Sequence, residues 1–90
     1  MKFEWDSVKA ASNLLKHEVS FTEASTVFKD DLSATAHDPD HSQVERRFLT
    51  FGLSNQGRLL VIAHTEENDT IRIISARPAS KAERKIYEEG

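Results

Sequence analysis

Thr70-Ile71-Arg72-Ile73-Ile74-Ser75-Ala76-Arg77-Pro78-Ala79-Ser80, running into Lys81-Ala82-Glu83-Arg84-Lys85-Ile86-Tyr87, is the stretch that decides the fold. Its β-branched residues read as a strand. Pro78 biases Arg77 away from the helical region and stops that strand. Ser80 with Glu83 forms the S-x-x-E capping box of a basic C-terminal helix. An arginine on a rigid strand, close to a helix start, is suited to holding phosphate oxygens. RNA or another phosphodiester is therefore the first substrate class to consider.

Working outward, Arg58 to Thr65 is apolar on both faces through Leu59-Leu60-Val61-Ile62, as a central strand should be. The polar stretch Glu66 to Asp69 is predicted to link it to the arginine strand. Asn55-Gln56-Gly57 marks a hairpin loop, with Gly57 supplying a positive φ. Before it, Arg46 to Leu53 alternates as a strand, with Leu49, Phe51 and Leu53 on one face. Asp38-Pro39-Asp40-His41-Ser42 is turn chemistry, and Ser33 to His37 can be read as a further short strand. Lys2 to Trp5 opens the chain as a strand. Asp6 N-caps a helix in which Val8, Ala11, Leu14 and Leu15 recur at helical spacing, ending near His17-Glu18. Ser20 and Glu23 box a second helix with Phe21, Ala24, Val27 and Phe28 on its apolar face. The expected fold class is α+β, in the order β-α-α-β-β-β-α: a small antiparallel sheet with an N-terminal α-hairpin and a C-terminal helix.

Ninety residues make one domain, spanning 1–90, and a chain this size buries roughly 60–65% of its unfolded surface. The absence of cysteine excludes a disulfide scaffold and any thiol-based metal or redox site. No apolar run approaches the roughly 18 residues of a membrane span, and the N-terminus lacks a signal peptide's apolar stretch. A cytoplasmic protein without membrane contact is expected. The net charge of −3 counts against a protein that merely coats nucleic acid. Its distribution is uneven. Every formal charge from Asp30 to Glu45 is negative, whereas Arg72, Arg77, Lys81, Arg84 and Lys85 face Glu83 alone. Such a dipolar surface fits a local anion site or a partner-docking face.

Each candidate has a functional and a structural reading. Arg77 is the leading phosphate clamp, the alternative being an ion pair with Asp6 or Glu83 that locks the last helix. Arg72 points away from Ile71 and Ile73, toward an open sheet face, where it either meets a substrate or pairs with a glutamate across the strands. Arg72 and Arg77 have opposite parity, so an undistorted strand cannot aim both at one phosphate. A bulge or strand-end twist must unite them, or only one acts. Arg47, Lys81 and Arg84 are RNA-binding candidates. Lys16 and His17 end the first helix, where cations meet the helix dipole favourably, and a histidine there is a candidate for proton transfer. Tyr87 could stack on a base or donate a proton, or else pack its ring on the sheet. Trp5 and His64 read as packing residues. Asp38, Asp40 and His41 form a turn rather than a metal set.

Taken together, these residues resemble the BrnT family of type II toxins, ribonucleases with the RelE-like fold. The matching pieces are Phe3-Glu4-Trp5-Asp6, Lys9 and Asn13 leading to Lys16-His17, and Phe21, Ala24 and Val27-Phe28 with a following Asp. Arg47, Gly52-Leu53, Gly57-Arg58-Leu59-Leu60-Val61, and Arg72 to Arg77 with Glu83, Arg84, Tyr87 and Glu88 complete the match. The resemblance implies an endoribonuclease needing no metal and no cofactor, in which the 2′-OH of RNA attacks the adjacent phosphate and translation is inhibited. Arg77, Arg72, Lys16, His17 and Tyr87 would supply the chemistry. It also implies a BrnA-like ribbon-helix-helix antitoxin as partner, operator DNA contacted only through that antitoxin, and an RNA target that includes ribosome-associated mRNA. The chain departs from the family in having Glu18 where Gly usually follows Lys-His, and Asp31-Leu32 where Pro is frequent. A non-catalytic module that binds an antitoxin-like regulator is the alternative from another class.

Overall fold

Asp6 opens α1 (Ser7–His17), its carboxylate accepting from the backbone N–H of Val8 at 2.7 Å and of Lys9 at 3.2 Å. The helix stops at Glu18, which adopts the left-handed conformation (φ 58°) and donates its N–H to the Leu14 carbonyl. α2 (Phe21–Thr26) begins one turn later, with the Ser20 hydroxyl accepting from Glu23 N–H, and tightens into a 3₁₀ turn over Val27–Lys29. The strands are β1 (Lys2–Glu4), β2 (Ala34–His37), β3 (Phe48–Leu53), β4 (Leu59–Glu67) and β5 (Thr70–Pro78), followed by α3 (Lys81–Glu89). The computed structural model describes residues 1–38 and 46–89, so the Pro39–Ser42 part of the expected turn, and with it the Asp40 and His41 side chains, lies outside the described residues.

The fold is α+β, as expected, with two corrections. Ser33 to His37 does contribute a strand, β2, so the order is β-α-α-β-β-β-β-α. The sheet order is β1-β5-β4-β3-β2, and it is mixed rather than antiparallel because β1 runs parallel to β5. Local sequence carries no signal for that direction, since the pairing joins Lys2–Glu4 to Thr70–Arg72 across most of the chain. The β4–β5 link is also tighter than expected. Glu66 and Glu67 stay in the ladder, and only Asn68 (φ 51°) and Asp69 (φ 65°) turn. Both residue types tolerate the left-handed region that a two-residue hairpin demands.

One face of the sheet carries Leu60, Ile62, Ile71, Ile73 and Ala76, which form the core with Val19, Phe21, Ala24 and Val27. The apolar spacing of α2 thus marks its buried side. That of α1 does not: Val8, Leu14 and Leu15 are exposed, Leu15 at 88%. α1 is rotated so that Asn13 points inward instead, and the hydrogen bonds of that side chain, described below, set the rotation. The β3–β4 hairpin is fastened to the helices by Arg58. Its guanidinium pairs with both oxygens of the buried Glu23 and donates to the Glu18 carbonyl at 3.0 Å. Gly52 allows the 3₁₀ turn to approach β3, because a Cβ there would lie 2.9 Å from Val27 Cγ1.

His64 lies on the core side, fully buried, with its Nε2 2.7 Å from the Thr50 hydroxyl, which in turn meets Thr35 at 2.7 Å. Its ring stacks on Phe48 and meets the Phe28 ring edge-on. Burial pushes its pKa down to about 4.

Two predictions follow from these strained or buried groups. Glu18→Gly removes the left-handed strain without touching the carbonyl that Arg58 uses, and should stabilise the fold by about 1 kcal/mol in urea denaturation. For His64, the folded pKa lies below the unfolded one, so the unfolded chain takes up the proton first. Stability is complete above about pH 6.5 and falls as pH drops toward 4, by on the order of 3 kcal/mol. Urea melts at pH 7 and pH 4.5 should show this loss, and His64→Gln should remove most of it.

Candidate functional site

The arginine strand is bulged. β4 and β5 pair in register from Leu60↔Pro78 to Ala63↔Ser75, and then His64 pairs with Ile73, leaving Ile74 as the extra residue. The bulge resets the side-chain alternation. Ile71 and Ile73 below it and Ala76 above it therefore all face the core, and Arg72 and Arg77 both face the opposite, open side. The parity conflict in the sequence is resolved by this one inserted residue. The arginines remain far apart along the strand, roughly 16 Å between Cα atoms from the rise per residue. They suit two different phosphates of one strand rather than a single phosphate.

Asn13 fixes the upper half of this strand. Beyond Arg72 this edge of β5 has no strand partner among the described residues, and the backbone of Ala76 is satisfied by a side chain instead. Asn13 Oδ1 accepts from Ala76 N–H at 3.0 Å, and Nδ2 donates to the Ala76 carbonyl at 2.8 Å and to the Val19 carbonyl at 2.9 Å. One buried amide thus ties α1, the α1–α2 turn and the residue before Arg77 together.

Arg77 is held in turn by Glu83. The pair is bidentate, at 2.7 and 2.9 Å, and Glu83 Oε1 also accepts from Ser80 N–H while Ser80 Oγ accepts from Glu83 N–H. The capping box is present and reciprocal, and the carboxylate that completes it is also the partner of the arginine. The Arg77 guanidinium and the Ser80 cap hold the Glu83 carboxyl well below the usual range, at about 2. Arg72 pairs with Glu4 at 3.2 Å on the neighbouring β1, both side chains about half exposed. A pair so exposed contributes little, of the order of 0–1 kcal/mol.

α3 lies over the open face. It has no buried residue, and its far end is anchored by Tyr87, whose hydroxyl donates to Asp30 Oδ2 at 2.5 Å. Asp30 also accepts from the backbone of Leu32 and Leu53, so the phenol joins a carboxylate already fixed by the chain. That hydrogen bond raises the Tyr87 pKa to about 12. Lys81 and Arg84 lie exposed on α3, with no side-chain hydrogen bond or ion pair among the described residues.

The sequence candidates therefore fall into separate groups. Arg72, Arg77, Tyr87, Lys81 and Arg84 belong to the open face and its helix. Lys16, exposed, and His17, half-buried, end α1 in the hairpin layer, where they are the basic residues of its last turn. Arg47 precedes β3, and its carbonyl accepts from Asp38 N–H at 2.9 Å. Asn13 and Asp30 are the positioning groups that the sequence reading did not single out, whereas the Arg77–Glu83 pair is the structural alternative expected for Arg77. The available signal was a lone amide inside the apolar run of α1.

Asn13→Leu should show how far Arg77 depends on this scaffold. It strands three buried backbone groups, so a loss of at least about 3 kcal/mol in urea denaturation is expected. Amide exchange at Ala76 should accelerate with it.

The fold recurs in a solved structure. The chain is similar to the Brucella abortus ribonuclease toxin, BrnT, known from a 1.1 Å crystal structure, with a TM-score of 0.68 and 24% sequence identity over 90% of this chain and 99% of that one. At that identity the likeness establishes the fold. No curated protein matches the chain. The family model described as "Ribonuclease toxin, BrnT, of type II toxin-antitoxin system" matches residues 5–83, nearly the whole chain, and the chain belongs to that family.

Proposed function

We propose that this chain is an endoribonuclease that cuts RNA without a metal, with the open face of the sheet as its active site. Membership of a ribonuclease toxin family supports the reaction class. The observation that carries the assignment of the site is the Arg77–Glu83–Ser80 arrangement: a guanidinium fixed on a strand end, with its fork occupied by a single, exchangeable carboxylate. A phosphodiester offers the same two-oxygen geometry as that carboxylate. It displaces Glu83 from Arg77, and the released carboxylate loses the contact that holds its pKa at about 2.

The 2′-OH of the bound nucleotide then attacks the adjacent phosphorus, its proton passing to the freed Glu83 carboxylate. The P–O5′ bond breaks, and the leaving oxygen takes a proton from a donor such as Tyr87. The products are a 2′,3′-cyclic phosphate and a free 5′-OH. Arg77 stabilises the charge that builds on the phosphoryl oxygens. Arg72 holds a neighbouring phosphate, and Lys81, Arg84 and Arg47 extend the cationic track. Lys16 and His17, at the end of α1, remain a second source of proton transfer. Inhibition of translation, action in the cytoplasm on ribosome-associated mRNA, and neutralisation by a BrnA-like ribbon-helix-helix antitoxin belong to the same reading.

A non-catalytic antitoxin-binding module is the second reading. It is favoured by one observation: Arg72 and Arg77 are both already paired with glutamates.

The two separate in a cleavage assay with purified protein, total RNA and excess EDTA. Wild type should release fragments ending in 2′,3′-cyclic phosphate. Arg77→Ala should lower the rate by at least about 100-fold, with Arg77→Lys intermediate because it keeps charge but not the fork. Urea melts of each variant control for unfolding of α3. No cleavage by wild type, and equal absence of growth arrest from wild type and Arg77→Ala when expressed without antitoxin, would leave the binding module as the answer.

A further inference from the structure

α3 does not close onto the sheet. Between them lies a cavity of about 400 Å³, lined by Leu32, Ala34, Phe51, Glu83, Ile86 and Tyr87. Its walls are apolar and aromatic apart from the Glu83 carboxylate and the Tyr87 hydroxyl, and the latter is committed to Asp30. Leu32 and Ile86, both in its lining, are 74% and 73% exposed, an apolar surface left open to solvent. A cavity of this size is in the range that takes a small molecule or a group of similar bulk.

Its position relative to Arg77 narrows the occupant. The register places Ala34, Phe51, Val61 and Arg77 in one row across four adjacent strands, on the same face of the sheet. Phe51 and Arg77 are two strands apart, so their Cα atoms are separated by roughly 10 Å. Glu83 belongs to both places: it lines the cavity and holds the Arg77 guanidinium. A ligand bound here therefore combines an anion at Arg77 with a flat or apolar group on Phe51, one short linker away. A nucleotide has that form, and bases of single-stranded RNA bind proteins by stacking on aromatic side chains.

We infer that the cavity between α3 and the sheet seats one base of the RNA, stacked on Phe51, next to the phosphate held by Arg77. This rests on the reading of Arg77 as a phosphate clamp and adds a specificity pocket to it. The base enters past Leu32 and Ile86, and α3 serves as the pocket's second wall.

Ala34 lets this be tested without dismantling the site. Its side chain is small, lines the cavity and lies on a strand where a longer aliphatic residue fits the pleat. Ala34→Met should fill the space while leaving the thermal midpoint unchanged or raised. Binding is measured by fluorescence anisotropy with a single-stranded RNA carrying 2′-O-methyl groups, which cannot be cleaved, and with the same oligomer made abasic at each position in turn. For wild type, one abasic position should weaken binding by roughly fivefold or more, the loss of one stacked base. Ala34→Met should bind the intact oligomer weakly by a similar factor, and that abasic penalty should disappear.

The inference is overturned if Ala34→Met binds the intact RNA as wild type does, or if the abasic penalty survives in it. Arg77→Ala tells the two failures apart. If it too binds like wild type, the phosphate clamp itself is wrong; if it binds weakly, only the base pocket falls. Loss of a co-expressed protein partner by Ala34→Met, with RNA binding intact, would mark the cavity as a protein-docking site and overturn the inference as well. Should Ala34→Met fail to fold, NMR of the wild type decides. Adenosine 5′-monophosphate should shift the Ala34 methyl and Phe51 ring resonances, and ribose 5-phosphate should not; equal shifts or none from both would sink the pocket.

Discussion

The arrangement of this protein depends on the hydrogen bonds of the Asn13 side chain. An edge strand leaves a row of backbone groups unpaired, and where that edge is buried each such group costs of the order of 1–3 kcal/mol. β1 covers the edge of β5 only as far as Arg72. At Ala76 the Asn13 amide takes over, presenting a donor and an acceptor in the spacing that a neighbouring strand would offer. The same amide reaches the Val19 carbonyl, so the sharp turn between α1 and α2 is tied to the strand as well. One consequence is visible on the surface. α1 presents its amide to the core and turns Val8, Leu14 and Leu15 outward, which hydrophobic burial alone would not favour. Three hydrogen bonds in a dry site outweigh the burial of a few aliphatic side chains that retain partial contact with the fold.

The bulge at Ile74 and the Asn13 contact at Ala76 act on the same short segment, one turning it and the other holding it. Together they place Arg77 on the open face with a fixed backbone. Its side chain is then oriented by Glu83, a residue required by the capping of α3. Capping and charge pairing are therefore one network, which ties the Arg77 guanidinium to the start of α3. A net charge of −3 is compatible with this, because the acidic partners sit on the arginines and balance their charge locally.

Much of this was legible in the chain itself. Periodicity and capping located α1, α2 and α3, and the apolar run through Leu59-Leu60-Val61-Ile62 marked the central strand. Gly57 marked its hairpin, with φ 75°. The Arg-Ile-Ile-Ser-Ala-Arg block named the residues on which a phosphate-binding site would be built. These signals are local: each depends on a residue type and its near neighbours, whose backbone preferences act before any tertiary contact forms.

What only the tertiary structure decided is which of these residues meet. The parallel pairing of β1 with β5 and the Asn13–Ala76 contact join positions more than sixty residues apart, and no local preference encodes them. The bulge that brings Arg72 and Arg77 to one face is a matter of register between two strands, invisible in either alone. The outward rotation of α1 ran against its apolar spacing because a buried amide set the angle. The cavity over Phe51 is bounded by α3, which Glu83 ties to Arg77 and Tyr87 ties to Asp30. Sequence determined the elements and their chemistry. Hydrogen bonds across long chain separations, which must be satisfied once water is excluded, decided how that chemistry is assembled.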